Sequence, residues 1–187
     1  KENPFLCFLS LNAPHSPFNV PKEYYELYEN ESDLLESQKR FYGMITNIDD
    51  NFGRLHQNVK SLGILDNTII IFTTDNGTSN GYKYSKKYKK WLGFNAGMRG
   101  TKTSEYDGGH RVPFIIKWKK GGLFGGHSYS GLSAHVDMLP TLLSFAKIAF
   151  NSTKKIDGTD LSKHVINKSE AERMLVTDTQ RNLWPEK

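Results

Sequence analysis

An α/β fold with a mostly parallel sheet flanked by helices is predicted by three features of this chain. These are two unbroken apolar runs, a long amphipathic segment between them, and a Gly-rich stretch after the second run. The runs, residues 5–11 (FLCFLSL) and 68–74 (TIIIFTT), lack apolar/polar alternation, as strands buried on both faces do. Between them Phe41, Ile45, Ile48, Phe52, Leu55, Val59 and Leu62 recur at spacings of four and three, which predicts a helix over roughly 33–62. Gly63 is a natural stop for it. Strand, helix and strand in this order imply a parallel, right-handed crossover, with the two strands neighbours or near-neighbours and the helix packed on their face.

The other elements follow in order. The loop NAPHSPFNVP, with three prolines, joins the first strand to the helix. Residues 77–111 read as a loop, rich in Gly, Lys and Tyr and long enough to suggest function. A strand is expected over 112–118, with Pro113 confining it to an early or edge position. The Gly-rich residues 121–131 lead to a helix near 137–148, with Asp137 as N-cap and Pro140 in its first turn. Residues 174–177 are expected to form a last short strand.

The 187 residues suffice for one domain with its own core, and 25 Lys plus Arg against 20 Asp plus Glu leave a net charge of +5. The excess gathers at Lys83, Lys86, Lys87, Lys89 and Lys90, interleaved with Tyr84 and Tyr88. Such a run reads as a solvated loop, or as a surface for nucleic acid or a sulfated or carboxylated polysaccharide. Cys7, the single cysteine, reads as core packing and excludes an internal disulfide. No run of 18 apolar residues is present, so no membrane span is expected. The chain begins without Met directly before a strand, so its natural N-terminus is expected to lie elsewhere. Sequons at Asn30, Asn76, Asn151 and Asn167 are too common by chance to carry an argument.

The second run ends in Asp75, Asn76 and Gly77. Open α/β sheets place their ligand sites where strands end. Asp75 and Asn76 offer hard oxygen donors, suited to Ca²⁺ or Mg²⁺ rather than Zn²⁺. Neighbouring side chains on a regular strand point to opposite faces, so convergence on one ion needs a bend, which Gly77 permits. Taken alone, Asp-Asn-Gly is also a common turn. Taken alone, His15 in its proline-rich loop reads as a surface or backbone-bonding histidine, and Lys102 as a solvated lysine. Arg111 reads as an ion-pair or hydrogen-bond donor.

Together and in order, LNAPHSPF, FYGMITNIDDNFGRL, NTIIIFTTDNG, GMRGTKTSEYDGGHRVPFII, HVDMLPTLLSFAKI and IDGTDL resemble the central and later part of a sulfatase catalytic domain, in the alkaline-phosphatase-like superfamily. The ending VTDTQRN is similar to that of sulfatases from bacterial polysaccharide degraders. The resemblance implies that Asp75 and Asn76 are metal ligands, for Ca²⁺ or alternatively Mg²⁺. It implies that His15 is an active-site histidine near the sulfate and the leaving-group oxygen, and that Lys102 binds sulfate. A sulfate ester spreads charge over its non-bridging oxygens, so a cation and an ammonium stabilise the developing charge, and an imidazole can protonate the departing alcohol. Asp107 stands where the family more often has Glu, one methylene longer.

The same resemblance implies a formylglycine nucleophile in a Cys/Ser-x-Pro-x-Arg motif, which these 187 residues do not contain. The expectation is therefore part of a single catalytic domain, truncated at its N-terminal side and at its C-terminal side. The whole protein would hydrolyse a sulfate ester, while the fragment alone would be inactive. Its partner would be a sulfated small molecule or polysaccharide rather than nucleic acid. The resemblance alone suggests a periplasmic, secreted or lysosomal-type compartment. Two alternatives remain open at the level of sequence. One is a phosphohydrolase of the same superfamily. The other is a non-catalytic anionic-glycan-binding domain using His15, Lys102 and the loop at residues 83–90.

Overall fold

The computed structural model describes residues 3–151 and 153–178, so the end of VTDTQRN lies outside the described residues. In chain order its elements are α1 (Lys22–Glu26), α2 (Glu36–Ser61), β1 (Ile70–Thr73), β2 (Tyr82–Ser85), β3 (Lys90–Gly93), α3 (Asp107–His110), β4 (Phe114–Lys117), α4 (Met138–Ala146) and α5 (Ser162–Asn167). The chain forms two compact units, one of Lys1–Ser61 with Asp75–Val112, the other of Leu62–Thr74 with Pro113–Lys187.

The first unit is organised by α2, close to the helix expected from its periodicity. Beyond its end Gly63 adopts φ +70°, the left-handed turn that glycine makes without a Cβ clash. Phe41 and Met44 are buried on its N-terminal half, whereas Ile45 and Leu55 further along the stripe are exposed. Gly43 lets α2 approach the preceding segment, since a Cβ there would lie 2.9 Å from the Tyr24 carbonyl oxygen and 3.0 Å from Val20 Cγ2. Tyr28 Oη and Thr46 Oγ1, 2.8 Å apart, tie the same segments together.

Residues 77–111 are not the continuous loop expected from composition. They contain the antiparallel hairpin β2–β3, with Tyr82 opposite Gly93 and Tyr84 opposite Trp91. Helix α2 holds the hairpin's base. The fully buried Gln38 accepts from Leu35 N through Oε1 (2.9 Å) and donates through Nε2 to the Leu92 carbonyl (2.8 Å). Tyr42 Oη donates to the Gly81 carbonyl (2.6 Å) and accepts from Phe94 N (3.0 Å), closing the two ends of the hairpin on one hydroxyl. Burial pushes the Tyr42 phenol above its ordinary value, so it stays neutral and able to donate over the neutral range.

The apolar run at residues 5–11 is not a strand. Leu6 is 87% exposed and Phe8 85%, and Cys7 is exposed rather than packed in a core. Its β-propensity is not realised, because a strand exists only alongside another strand, and no strand pairing among the described residues includes it. The expected parallel pairing with residues 68–74 is therefore absent.

In the second unit β1 pairs instead with β4, and antiparallel, with Ile70 opposite Lys117 and Thr73 opposite Phe114. Pro113 precedes β4, as its missing N–H requires. The core here gathers Leu123, Phe145 and Leu161, with Trp118 edge-on to Phe145 at 5.4 Å between centroids. Helix α4 starts as expected, but the Asp137 side chain does not cap it. Instead this buried carboxylate accepts from Ala134 N (2.7 Å), Thr159 N (2.8 Å) and Arg173 Nη1 (2.7 Å), and so pins three separate segments. Residues 174–177 form no strand, and Met174 and Val176 are exposed. No helix among the described residues is long and apolar enough to cross a membrane.

Candidate active site

Asp75, Asn76 and Gly77 begin the first unit's second segment, and the bend that the sequence requires of them is present: strand geometry ends at Thr73. The Asp75 side chain is exposed and Asn76 is half-buried. The turn is fastened to the Gly-Gly pair 30 residues on. Gly77 N donates to the Gly109 carbonyl (2.8 Å), and a Cβ on Gly77 would overlap the Gly108 carbonyl oxygen. Gly108 N in turn donates to the Arg99 carbonyl (2.7 Å), and a Cβ there would overlap the Gly100 carbonyl. Glycine at 77 and 108 is thus demanded by backbone-on-backbone contact, not by turn geometry alone.

Lys102 reaches the same block. Its backbone N–H donates to the Thr78 carbonyl (2.8 Å), which places the residue beside the Asp-Asn-Gly turn although 26 positions separate it from Asn76. Its side chain is half-buried. The loop that carries it is shaped by Asn95, only 8% exposed, whose amide donates to the Gly100 (2.7 Å) and Met98 (3.2 Å) carbonyls. Sequence reasoning passed over Asn95, although Phe-Asn-Ala-Gly carries turn chemistry at that point. Arg99 sits over the Tyr106 ring, 3.6 Å from guanidinium carbon to ring centroid, and Arg111 pairs with Asp107 at 3.5 Å.

His15 is held within its own loop. Its N–H donates to the Asn12 carbonyl (3.0 Å), and Nδ1 lies 2.9 Å from the Ser16 carbonyl oxygen. A carbonyl only accepts, so Nδ1 carries a proton there and Nε2 is the nitrogen able to exchange one. One backbone bond thus ties Lys102 to Thr78, the residue after the Asp-Asn-Gly turn, while His15 bonds to Asn12 and Ser16 in its own loop.

The donor chemistry of Asp75 and Asn76 fits a hard cation, whose shell takes about six to eight oxygens for Ca²⁺. Among the described residues no three His, Cys, Asp or Glu side chains come together as a metal cage. Glycine contact gives a direct test of the block. Gly77→Ala should cost about 1–3 kcal/mol, the usual penalty of overpacking, whereas Gly53→Ala, in α2 with nothing within 4 Å, should be neutral or stabilising. Thermal denaturation of the two variants checks this, and equal midpoints would show that the turn is not fastened as described.

The sulfatase family model matches residues 1–148. The uncharacterized sulfatase YdeN of Escherichia coli (strain K12) is 31% identical over 173 residues, covering 91% of this chain and 29% of its own length. Among solved structures, that of Ps i-CgsB in complex with k-i-k-neocarrahexaose is similar with a TM-score of 0.76 at 28% identity, over 91% of this chain and 35% of that one. The structure of BT4656 in complex with its substrate D-glucosamine-2-N,6-O-disulfate is similar with a TM-score of 0.57 at 28% identity, over 72% of this chain and 24% of that one. The chain thus spans about a third or less of the length of these relatives. A family match over most of the chain, carried by a fold shared with solved sulfatases and by an Asp-Asn-Gly turn locked to its lysine loop, means that the chain belongs to the sulfatase family, in the alkaline-phosphatase-like superfamily.

Proposed function

We propose that this chain is part of a longer catalytic domain that hydrolyses sulfate esters of carbohydrates, with His15, Asp75, Asn76 and Lys102 in its active site. The observation that carries the reading is the fastening of the lysine loop to the Asp-Asn-Gly turn through Lys102–Thr78 and Gly77–Gly109. The fraction of the relatives' length that the chain spans supports the fragment reading. The carbohydrate class rests on the ligands of the two similar structures.

In this reading Lys102 places its ammonium against the non-bridging oxygens of the sulfate, where charge grows as the ester S–O bond breaks. The Nδ1–H of His15 is committed to the Ser16 carbonyl, which orients the ring, so that Nε2 of the doubly protonated imidazolium delivers its proton to the departing sugar oxygen and the ring is left neutral. Asp75 and Asn76 would hold Ca²⁺, or Mg²⁺, with donors from elsewhere in the domain. When bound, the cation supplies Lewis-acid stabilisation of sulfate charge. The formylglycine of the family would come from outside these 187 residues, since no Cys/Ser-x-Pro-x-Arg occurs within them.

The test is an assay of the full-length protein with paired aryl sulfate and aryl phosphate, before and after treatment with a chelator. Sulfate release that falls on chelation and returns with Ca²⁺ is the expected result. Cleavage of the phosphate but not the sulfate would assign a phosphohydrolase. Retention of sulfated glycans without turnover of either ester would assign a binding domain.

A further inference from the structure

We infer that the outward face of the β2–β3 hairpin is a docking platform for a sulfated polysaccharide chain, separate in its residues from the groups that act on the ester. The inference rests on the carbohydrate-sulfatase reading above for its choice of ligand, and on the hairpin's own geometry for its location. Residues opposite one another in an antiparallel pair share a face, and alternate residues along a strand share one too. The register therefore puts Tyr82, Tyr84 and Trp91 on one face, and Lys83, Ser85, Lys90 and Leu92 on the other. The second face is anchored: Ser85 and Leu92 are buried, Gln38 holds the Leu92 carbonyl, and Lys90 pairs with Asp33 at 3.0 Å.

That anchoring turns the aromatic face outward. Tyr82 and Trp91 stack at 4.8 Å with 15° between their planes, and Tyr84 stands edge-on to Trp91 at 5.8 Å. Trp91 is nevertheless 52% exposed and Tyr84 47%, with Tyr82 half-buried, so Tyr84 and Trp91 present an exposed aromatic surface that Tyr82 backs by its stack on Trp91. At the tip, Lys86, Lys87, Tyr88 and Lys89 are all exposed, with Lys87 Nζ 4.9 Å from the Tyr88 ring centroid.

Rigid aromatic rings beside mobile ammonium groups suit a ligand with flat C–H faces and regularly spaced anions. A sulfated sugar chain has both: its pyranose faces stack on Tyr84 and Trp91 while its sulfates meet the lysines of the tip. Charge complementarity selects the sulfated chain over a neutral one. Single-stranded nucleic acid also stacks on aromatic residues flanked by cations, and it is the competing occupant that the experiment must eliminate.

The experiment uses the full-length protein and three variants, Trp91→Ala, Trp91→Phe and the triple Lys86→Ala, Lys87→Ala, Lys89→Ala. Binding is measured by retention on a sulfated galactan, on unsulfated dextran and on poly(dT), and turnover is measured with a small aryl sulfate. Trp91→Ala should weaken galactan binding about tenfold, the loss of one exposed stacking contact, and Trp91→Phe should restore much of it. The triple variant should bind weakly and lose most of the salt dependence of the wild type. Aryl sulfate turnover should stay unchanged in all three. Galactan binding equal to wild type in both the Trp91→Ala and lysine variants overturns the inference and leaves the sulfatase reading intact. Loss confined to poly(dT) assigns the surface to nucleic acid and also overturns it. A wild type that never releases sulfate defeats the functional reading, while the galactan retention series still decides the platform.

Discussion

Asp75→Ala and Lys102→Ala, made in the full-length protein, should each lower sulfate-ester turnover by about 10²–10³, the usual cost of removing one preorganised electrostatic stabiliser. The two losses should differ in kind. Asp75 would contribute the only full negative charge of the pair it forms with Asn76, so its removal weakens retention of the cation, and added Ca²⁺ should recover part of the activity. Lys102 would face the sulfate, so its removal should be insensitive to Ca²⁺. Lys102→Arg should restore little, because a planar fork does not reproduce a compact ammonium. The backbone bond from Lys102 to Thr78 does not use the side chain, and Asp75 is exposed, so both variants should fold. Measured kcat across a Ca²⁺ titration, with circular dichroism as a folding control, separates the cases. Wild-type turnover in Asp75→Ala at limiting Ca²⁺ would remove that residue from the site.

The largest effect on stability should come from Asp137→Ala. The carboxylate is 4% exposed, its partner Arg173 is 11% exposed, and two backbone N–H groups also depend on it. Truncation leaves a buried guanidinium without its counter-charge and two donors without acceptors. Breaking a buried pair in this way costs about 3–5 kcal/mol, which for a chain of this size lowers the melting temperature by about 6–20 °C. Asp137→Asn keeps an acceptor for one N–H and should lie between the wild type and Asp137→Ala. A shift below about 2 °C for Asp137→Ala would show that Arg173 and the loops find other partners or water. Mere helix capping would predict a loss of only about 1 kcal/mol, so the measurement also separates the role seen in the structure from the one expected of an N-cap.

What could be read from the chain was whatever depends on local pattern. The spacing of Phe41, Ile45, Ile48 and their successors yields a helix within a few residues of the observed Glu36–Ser61, because 3.6-residue periodicity is a property of the segment itself. The apolar run ending at Asp75 was legible as a strand for the same reason, and the motif order was legible as that of a sulfatase. Partners in pairing were not. β1 meets β4, more than 40 residues away, and antiparallel rather than parallel, while residues 5–11 carry strand propensity yet join no strand pairing among the described residues. Pairing is decided by which backbone lies alongside, and no local pattern encodes that.

The hairpin of residues 82–93 illustrates the division. Its Tyr-Lys-Tyr-Ser alternation was present in the sequence, but its lysine-rich tip lacks the Gly or Asn that announces a tight turn, so composition suggested a loop, solvated or polyanion-binding, and not a hairpin. Sequence by itself determined that the rings of Tyr82, Tyr84 and Trp91 would exist beside a cluster of lysines. Tertiary structure decided which way they face. The wholly buried amide of Gln38 and the hydroxyl of Tyr42 hold the backbone of residues 81, 92 and 94 against α2, and unpaired carbonyls so deep in the unit would cost too much for the hairpin to turn over. The same reason explains the block around the Asp-Asn-Gly turn. Glycine at 77 and 108 was visible in the sequence, but only the contact of one backbone with another, with no room for a Cβ, shows why Lys102 is delivered to the turn that follows β1.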